Sequence, residues 1–385
     1  MQTSRDEILA RQHRVRERMS ESGIDVLITG SSAQIDSRGA LRYLAGYYLP
    51  VFEEYLVIPA SGPVTFFAHD ACGADYAQKY GVADDVRIIP NHEYNCSPGR
   101  CVAEFVMSQR GANLGMAGWA GISANFYRSL KSGLGGHEIN DFTDEMNIMR
   151  MVKSPTEIVQ TEEAVRLNES VFYHYLSLVR PGVREMDAIN EASGFALENG
   201  AEDLYWMASS DEIPYLAYLA EARLKRHIFK AGDYSYIILE HSAEGGHFGE
   251  TTHLVSLGDP KPEYVRAFAA VGMAQRAAAE RIRPGALTGE MADASHEALA
   301  DAGYEDRSKS LRPSAAIGHG QGLDAWEFPR IASGDETVIQ PGMRFNIHPA
   351  VVLPDGAKIT SCDCYISTET AARRLSSLPY EIIAV

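Results

Sequence analysis

Gly232-Asp-Tyr-Ser-Tyr-Ile-Ile-Leu-Glu240 and Gly342-Met-Arg-Phe-Asn-Ile-His348 decide how this chain is read. Each is a glycine-started apolar run closed by a titratable side chain, the pattern of a buried strand. A helix stop precedes each run, Arg180-Pro181-Gly182 and Arg283-Pro284-Gly285. Glu191-Ala192-Ser193 with Asn199-Gly200 follows the first stop, and Asp293-Ala294-Ser295 with Ala302-Gly303 follows the second. The series recurs in order, offset by 103 residues at the helices (284 − 181) and 110 at the strands (342 − 232). Two similar halves would set their strands about a pseudo-twofold axis, and a site between them would draw residues from both. A carboxylate ending Tyr-Ile-Ile-Leu must be paired or shift its pKa. Glu240 and His348, read as equivalent repeat positions, are therefore expected to face each other.

Upstream, Lys153-Ser154-Pro155-Thr156-Glu157 is a strong helix start. Ser154 serves as N-cap, Pro155 fits the first turn and Glu157 completes a capping box, with the helix running to Arg180-Pro181-Gly182. This start divides the 385 residues into 1–150 and 151–385. In the first part, Ile8, Leu9, Val15 and Met19 mark one face of a helix over residues 5–22, closed by Gly23. Ile24–Thr29 reads as a strand, and Glu54–Ile58 with Pro63–Phe67 as a hairpin, so an α/β domain is expected.

Composition narrows the function. Acidic residues outnumber basic ones 52 to 35, a net charge of −17, which argues against nucleic acid and against anionic membranes as partners. Apolar runs are too short for a membrane span, and the N-terminal sequence lacks the apolar core of a signal peptide. Five cysteines, an odd count in a long chain, read as reduced thiols and a cytoplasmic setting.

No GxxxxGK[ST], HExxH or GxSxG motif occurs, and Gly318-His-Gly-Gln-Gly322 does not match a nucleotide loop. Polar residues instead gather on the strands of the second part. After Glu240 come His241, Glu244, His247, Glu250 and His253. His319 sits between glycines, Glu327 lies eight residues on, and Cys362-Asp363-Cys364 follows His348. Two cysteines two apart on a strand share a face, as either a buried structural pair or a metal or redox pair.

Residues 153–385 resemble the creatinase/aminopeptidase P/methionine aminopeptidase superfamily. The resemblance rests on Lys153-Ser-Pro-Thr-Glu157, Gly232-Asp233, Ile317-Gly-His-Gly-Gln-Gly-Leu323 with Glu327-Phe-Pro329, Pro341-Gly-Met343 and Ser367-Thr-Glu369. Residues 1–150, including Tyr43-Leu-Ala-Gly46, resemble the N-terminal domain of its longer members. The resemblance implies an α+β chain: an α/β creatinase-like N-terminal domain and a C-terminal pita-bread domain of duplicated α–β halves. It also implies a homodimer and a small-molecule substrate.

Metallopeptidases of this superfamily hold two metal ions with two Asp, one His and two Glu. Only His319 is kept. The other positions read Glu240, Glu250 (one residue closer than the pattern), His348 and Cys362, beside a retained Asp363. A second histidine of the pattern is Trp326, and a third has no counterpart in Ile213–Ala220. Such a set is poor for two hard cations bridged by carboxylates.

The expectation is therefore a creatinase-like hydrolase or lyase, with no cofactor, cleaving a C–N bond in a small cationic molecule. His319, Glu327, Glu240 and His348 are the candidate acid–base groups, and Glu250, Asp363, Trp326 and Tyr215 the candidate substrate contacts. One alternative is a metal-dependent Xaa-Pro dipeptidase with a single Zn or Mn held among Glu240, Glu250, His319, His348 and Cys362. A non-catalytic binding protein on the same fold is the other.

Overall fold

The computed structural model describes residues 3–32, 34–47, 49, 52–90, 93, 96–109, 113–305 and 316–385. The chain forms two compact units, Gln2–Arg150 and Met151–Val385.

In the N-terminal unit, α1 (Arg5–Glu21) is capped by Ser4, whose side chain accepts from the Glu7 amide. It buries Ile8, Val15 and Met19 as the periodicity implies. Leu9 is exposed, however, and its expected place on the buried face goes to Arg11 and Gln12, which bond the carbonyls of Tyr43, Leu44 and Val82. Six strands follow: β1 (Val26–Ser31), β2 (Glu54–Pro59), β3 (Thr65–Ala68), β4 (Asp85–Ile88), β5 (Leu114–Ala117) and β6 (Ile139–Asp141). They form one sheet in the order β4-β3-β2-β1-β5-β6, with β2 and β3 pairing as the expected hairpin. Helices α2 (Gly39–Ala45), α3 (Ala71–Tyr80), α4 (Gly99–Ser108), α5 (Ala124–Gly133) and α6 (Thr143–Met151) complete the unit.

The second unit opens with α7 (Pro155–Leu178), whose capping box between Ser154 and Glu157 is formed as read. The helix stops at Leu178, two residues before the Arg-Pro-Gly stop. Its partner α8 (Glu185–Glu198) and the pair α10 (Pro262–Ala279) and α11 (Thr288–Asp301) show the duplication plainly. α8 and α11 are separated by 103 residues, α7 and α10 both begin with proline, and Gly182 and Gly285 both take positive φ, 89° and 86°. Gly182 donates to Phe229 and Gly285 to Ile339, so both helix stops are tied to the chain ahead of their strands in the same way. A short α9 (Leu219–Lys225) lies between the halves' elements.

Strands β7 (Trp206–Asp211), β8 (Tyr234–Leu239), β9 (Thr251–Ser256) and β17 (Ile383–Ala384) make a four-stranded sheet in the order β17-β9-β8-β7. Strands β10 (Gly318–Gly320), β11 (Glu327–Ile331), β12 (Arg344–Ile347), β15 (Asp363–Ser367) and β16 (Ala372–Arg374) make a five-stranded sheet in the order β11-β10-β12-β15-β16. β13 (Ala350–Val352) and β14 (Lys358–Thr360) form a separate ribbon. Helices α7 and α8 bury Ala164, Val171, Ala188 and Ala192 against Ile237, Leu239 and Val255 of the first sheet. Helices α10 and α11 do the same with Ala278, Met291 and Ala292 against Ile317, Phe345 and Ile347 of the second. Each half thus buries one sheet face against its own helices, and the other face of the first sheet packs Tyr236, Ile238 and Leu254 against Phe268 and Val271 of α10.

Register corrects one expectation. Tyr234 pairs with Ser256 and Arg344 with Ile366, an offset of 110 on both strands of the hairpin. The counterpart of His348 is then Ile238, and that of Glu240 is Ala350. Glu240 and His348 are not equivalent positions of the repeat; the hairpins carry their polar groups at different heights.

Candidate metal centre

The β8–β9 ladder pairs Leu239 with Thr251 and continues past the strand ends, where the Gly249 amide donates to the His241 carbonyl. Glu240 and Glu250 are therefore cross-strand neighbours. Glu250 is buried and points toward the second sheet, where β10 and β12 pair His319 with Asn346. On β12, residues two apart share a face. Asn346 and His348 consequently look toward Glu250 while Ile347 packs under the helices.

Carboxylate and imidazole atoms of Glu250, His319 and His348 all lie within 4.8 Å of one another, and all three residues are buried. His319 Nε2 is 3.8 Å from Glu250 Oε2, and the two imidazole rings are 5.0 Å apart. His319 Nδ1 donates to the Gly320 carbonyl at 2.7 Å, which fixes the tautomer and leaves Nε2 as the lone-pair nitrogen facing Glu250. Asn346 Nδ2 donates to Glu250 Oε2 at 2.8 Å, and Thr252 Oγ1 donates to Oε1 at 3.2 Å. Asn346 Oδ1 is buried without a hydrogen-bond partner among the described residues.

Close approach explains the glycines around His319. A Cβ on Gly318 would stand 2.1 Å from the Asn346 carbonyl, and one on Gly320 would stand 2.2 Å from that of Phe328. Only glycine lets β10 lie between its two neighbours with the imidazole held on one face.

The other sequence-predicted residues fall around this set. Glu240 lies outside the three-residue cluster and receives Gln321 Nε2 at 3.4 Å, while Gln321 Oε1 accepts from Arg344. Trp326 lies tilted beside His319, its ring centroid 5.6 Å away, and keeps 38% of its surface exposed, so it forms an open wall. Cys362 is outside the cluster as well. Burial, then its neighbour Cys364, then Glu250 raise its thiol pKa well above the ordinary value. Cys364 Sγ donates to the Glu250 carbonyl at 3.3 Å.

Three expected site residues are engaged elsewhere. Glu327 accepts Lys153 Nζ at 2.7 Å and the Asp324 amide at 3.0 Å, so its carboxylate is a buried half of an ion pair rather than an acid–base group of the cluster. Asp363 shares the helix-facing side of β15 with Tyr365. There it accepts Arg374 Nε at 2.9 Å and the hydroxyls of Tyr365 and Tyr380. Tyr215 donates to Glu221 at 2.7 Å beside Lys225, away from the two central hairpins.

Family comparison fits this geometry. The model for metallopeptidase family M24 matches residues 160–369, and that for the creatinase/prolidase N-terminal domain matches residues 11–152. The chain belongs to metallopeptidase family M24. Among its M24 relatives is a probable dipeptidase, PepE, of Mycobacterium tuberculosis, 30% identical over 246 residues. That match spans 63% of this chain and only 63% of the relative's own length. An Xaa-Pro dipeptidase of Pyrococcus furiosus is 24% identical, covering 68% of this chain and 73% of the relative. The crystal structure of the dipeptidase PepE from Mycobacterium ulcerans superposes with a TM-score of 0.80 over all of both chains at 23% identity, a likeness of fold. The expectation of a metal-free, creatinase-like site finds no support in these relatives, which are named as dipeptidases. The metal-dependent alternative agrees better with them and with the convergent donors.

Donor chemistry then decides how many ions fit. A carboxylate-bridged pair of hard cations needs several oxygen ligands, and the described cluster offers one carboxylate and two imidazoles. Two imidazoles and one carboxylate do suit a single Zn²⁺ with an open position, and the unpartnered Asn346 Oδ1 adds a neutral oxygen beside it. Sequence reasoning missed Asn346 and Gln321; the period-2 pattern counted back from His348 and on from His319 was the signal that pointed to them.

Proposed function

We propose that this M24 chain is a dipeptidase-type hydrolase that cleaves an amide bond in a small peptide at one divalent ion held by Glu250, His319 and His348. The observation that carries the reading is the convergence of those three buried groups within 4.8 Å. The names of the relatives make Xaa-Pro dipeptides the first substrates to test.

A bound Zn²⁺ would supply Lewis acidity toward the scissile carbonyl and toward water. This chain's own residues do the rest. The Gly320 carbonyl holds the His319 tautomer, and Asn346 and Thr252 orient the Glu250 carboxylate. Glu240, next to Glu250 across the hairpin, offers a carboxylate to a substrate ammonium or accepts a proton from water. Trp326 walls the open side and excludes water from that flank.

The test is metal analysis of the purified full chain combined with dipeptide assays before and after chelation. About one Zn²⁺ or Mn²⁺ per chain is expected, with turnover of proline dipeptides lost on chelation and restored by the metal. H319A should lose both metal and turnover. Two stoichiometric ions, or undiminished turnover in chelated protein, would overturn the reading. A homodimer and a cytoplasmic setting belong to the same proposal and are checked by light scattering and by cell fractionation.

A further inference from the structure

On the helix side of β15, opposite the face that meets Glu250, the end of α10 and the β15–β16 connection line an open cavity of about 480 Å³. That volume is in the range of small-molecule pockets. Its apolar walls are Ala279, Ile282 and Ala372, with Tyr365 also lining it. Arg276 and Arg283 line it too, against a single acidic residue, Glu280. Glu290, the ion-pair partner of Arg283, is not part of that lining.

Arg276 and Arg374 flank the same Tyr380 ring, at 4.7 Å and 4.3 Å from its centroid, but their surroundings differ. Arg374 donates to Asp363 and to the Leu378 carbonyl. Arg276 has no carboxylate or carbonyl partner for its guanidinium among the described residues. Arg283 reaches Glu290 only at 3.8 Å. A guanidinium over an aromatic ring, its N–H fork unused and an apolar surface beside it, is suited to recognise a carboxylate bidentately.

We propose that this cavity binds a small carboxylate with an apolar body, at Arg276 and Arg283, independently of the Glu250–His319–His348 cluster. The acid head takes the Arg276 fork and the apolar body lies on Ile282, Ala372 and Tyr365.

The experiment is calorimetric titration of the full chain with phenylacetate and with its neutral amide, phenylacetamide. Wild type should bind phenylacetate saturably, with Kd of about 1 mM, and phenylacetamide at least about tenfold more weakly. R276Q removes the guanidinium of an exposed side chain while keeping its first three carbons, and should weaken phenylacetate by about tenfold or more. R281Q, on the same stretch but outside the cavity, and H319A, in the metal cluster, should bind as wild type does. Binding unchanged in R276Q, binding lost in H319A, equal affinity for the amide, or no saturable binding would each overturn the proposal.

Discussion

Replacing Asn346 with alanine removes a donor 2.8 Å from Glu250 Oε2 and a buried oxygen beside the three proposed ligands, without touching any of the three. Partners that orient ligands typically contribute 10–100-fold to metal affinity, so N346A should bind Zn²⁺ about that much more weakly in a chelator-competition titration. An unchanged affinity would mean that Glu250 is oriented without it. The same residue marks the limit of the sequence reading at this scale. Glu250, His319 and His348 were legible because titratable side chains at strand ends are conspicuous. Asn346 and Gln321 carry no charge, the first within strand β12 and the second in the glycine-rich turn after β10. Glu327 misled for the opposite reason: it carries charge, but its partner Lys153 lies 174 residues away in sequence, a distance at which pairing leaves no local pattern.

At the scale of elements, that pair ties the start of α7 to β11. Both members are almost fully buried, so removing one takes from the other the opposite charge 2.7 Å away. E327Q and K153M should each destabilise the chain by about 3–5 kcal/mol in urea unfolding, whereas the double variant should recover a good part of that loss. Additive losses would show that the two residues act separately. On β10, G320A should cost about 1–3 kcal/mol or more, because its Cβ would press on backbone, which cannot swing away as a side-chain tip can. The helices and hairpins themselves were readable, since caps, Pro-Gly stops and period-2 runs are local signals. Register was readable too: the 110-residue offset between Gly232 and Gly342 already makes Ile238, and not Glu240, the counterpart of His348, and ladder pairing fixes the same offset. The chemical likeness of two titratable strand ends hid it.

For the molecule as a whole, the two units carry buried titratable groups that pull stability in opposite directions with pH. In the C-terminal unit, burial lowers the His241 pKa from 6.5 to about 4, and burial lowers His253 as well. Between about 6.5 and 4 the unfolded imidazole takes a proton that the folded one refuses, so this unit loses stability as pH falls. The loss from His241 alone is about 3 kcal/mol when complete. In the N-terminal unit, burial raises the Glu54 carboxyl from 4.5 to about 8, with Asp70 adding to the rise against bonds from the Leu49 and His69 amides. Here the unfolded chain releases its proton first, so stability falls as pH rises from about 4.5 to 8, by up to about 5 kcal/mol. Peptide-resolved hydrogen exchange, corrected for intrinsic rates, follows each unit separately. It should show residues 26–117 losing protection toward pH 8 and residues 206–256 losing it toward pH 4. E54Q, neutral at every pH, should flatten the first slope and leave the second. If both units instead lost protection in the same direction, or if E54Q kept the alkaline slope, burial of these two side chains would not be what sets the pH response.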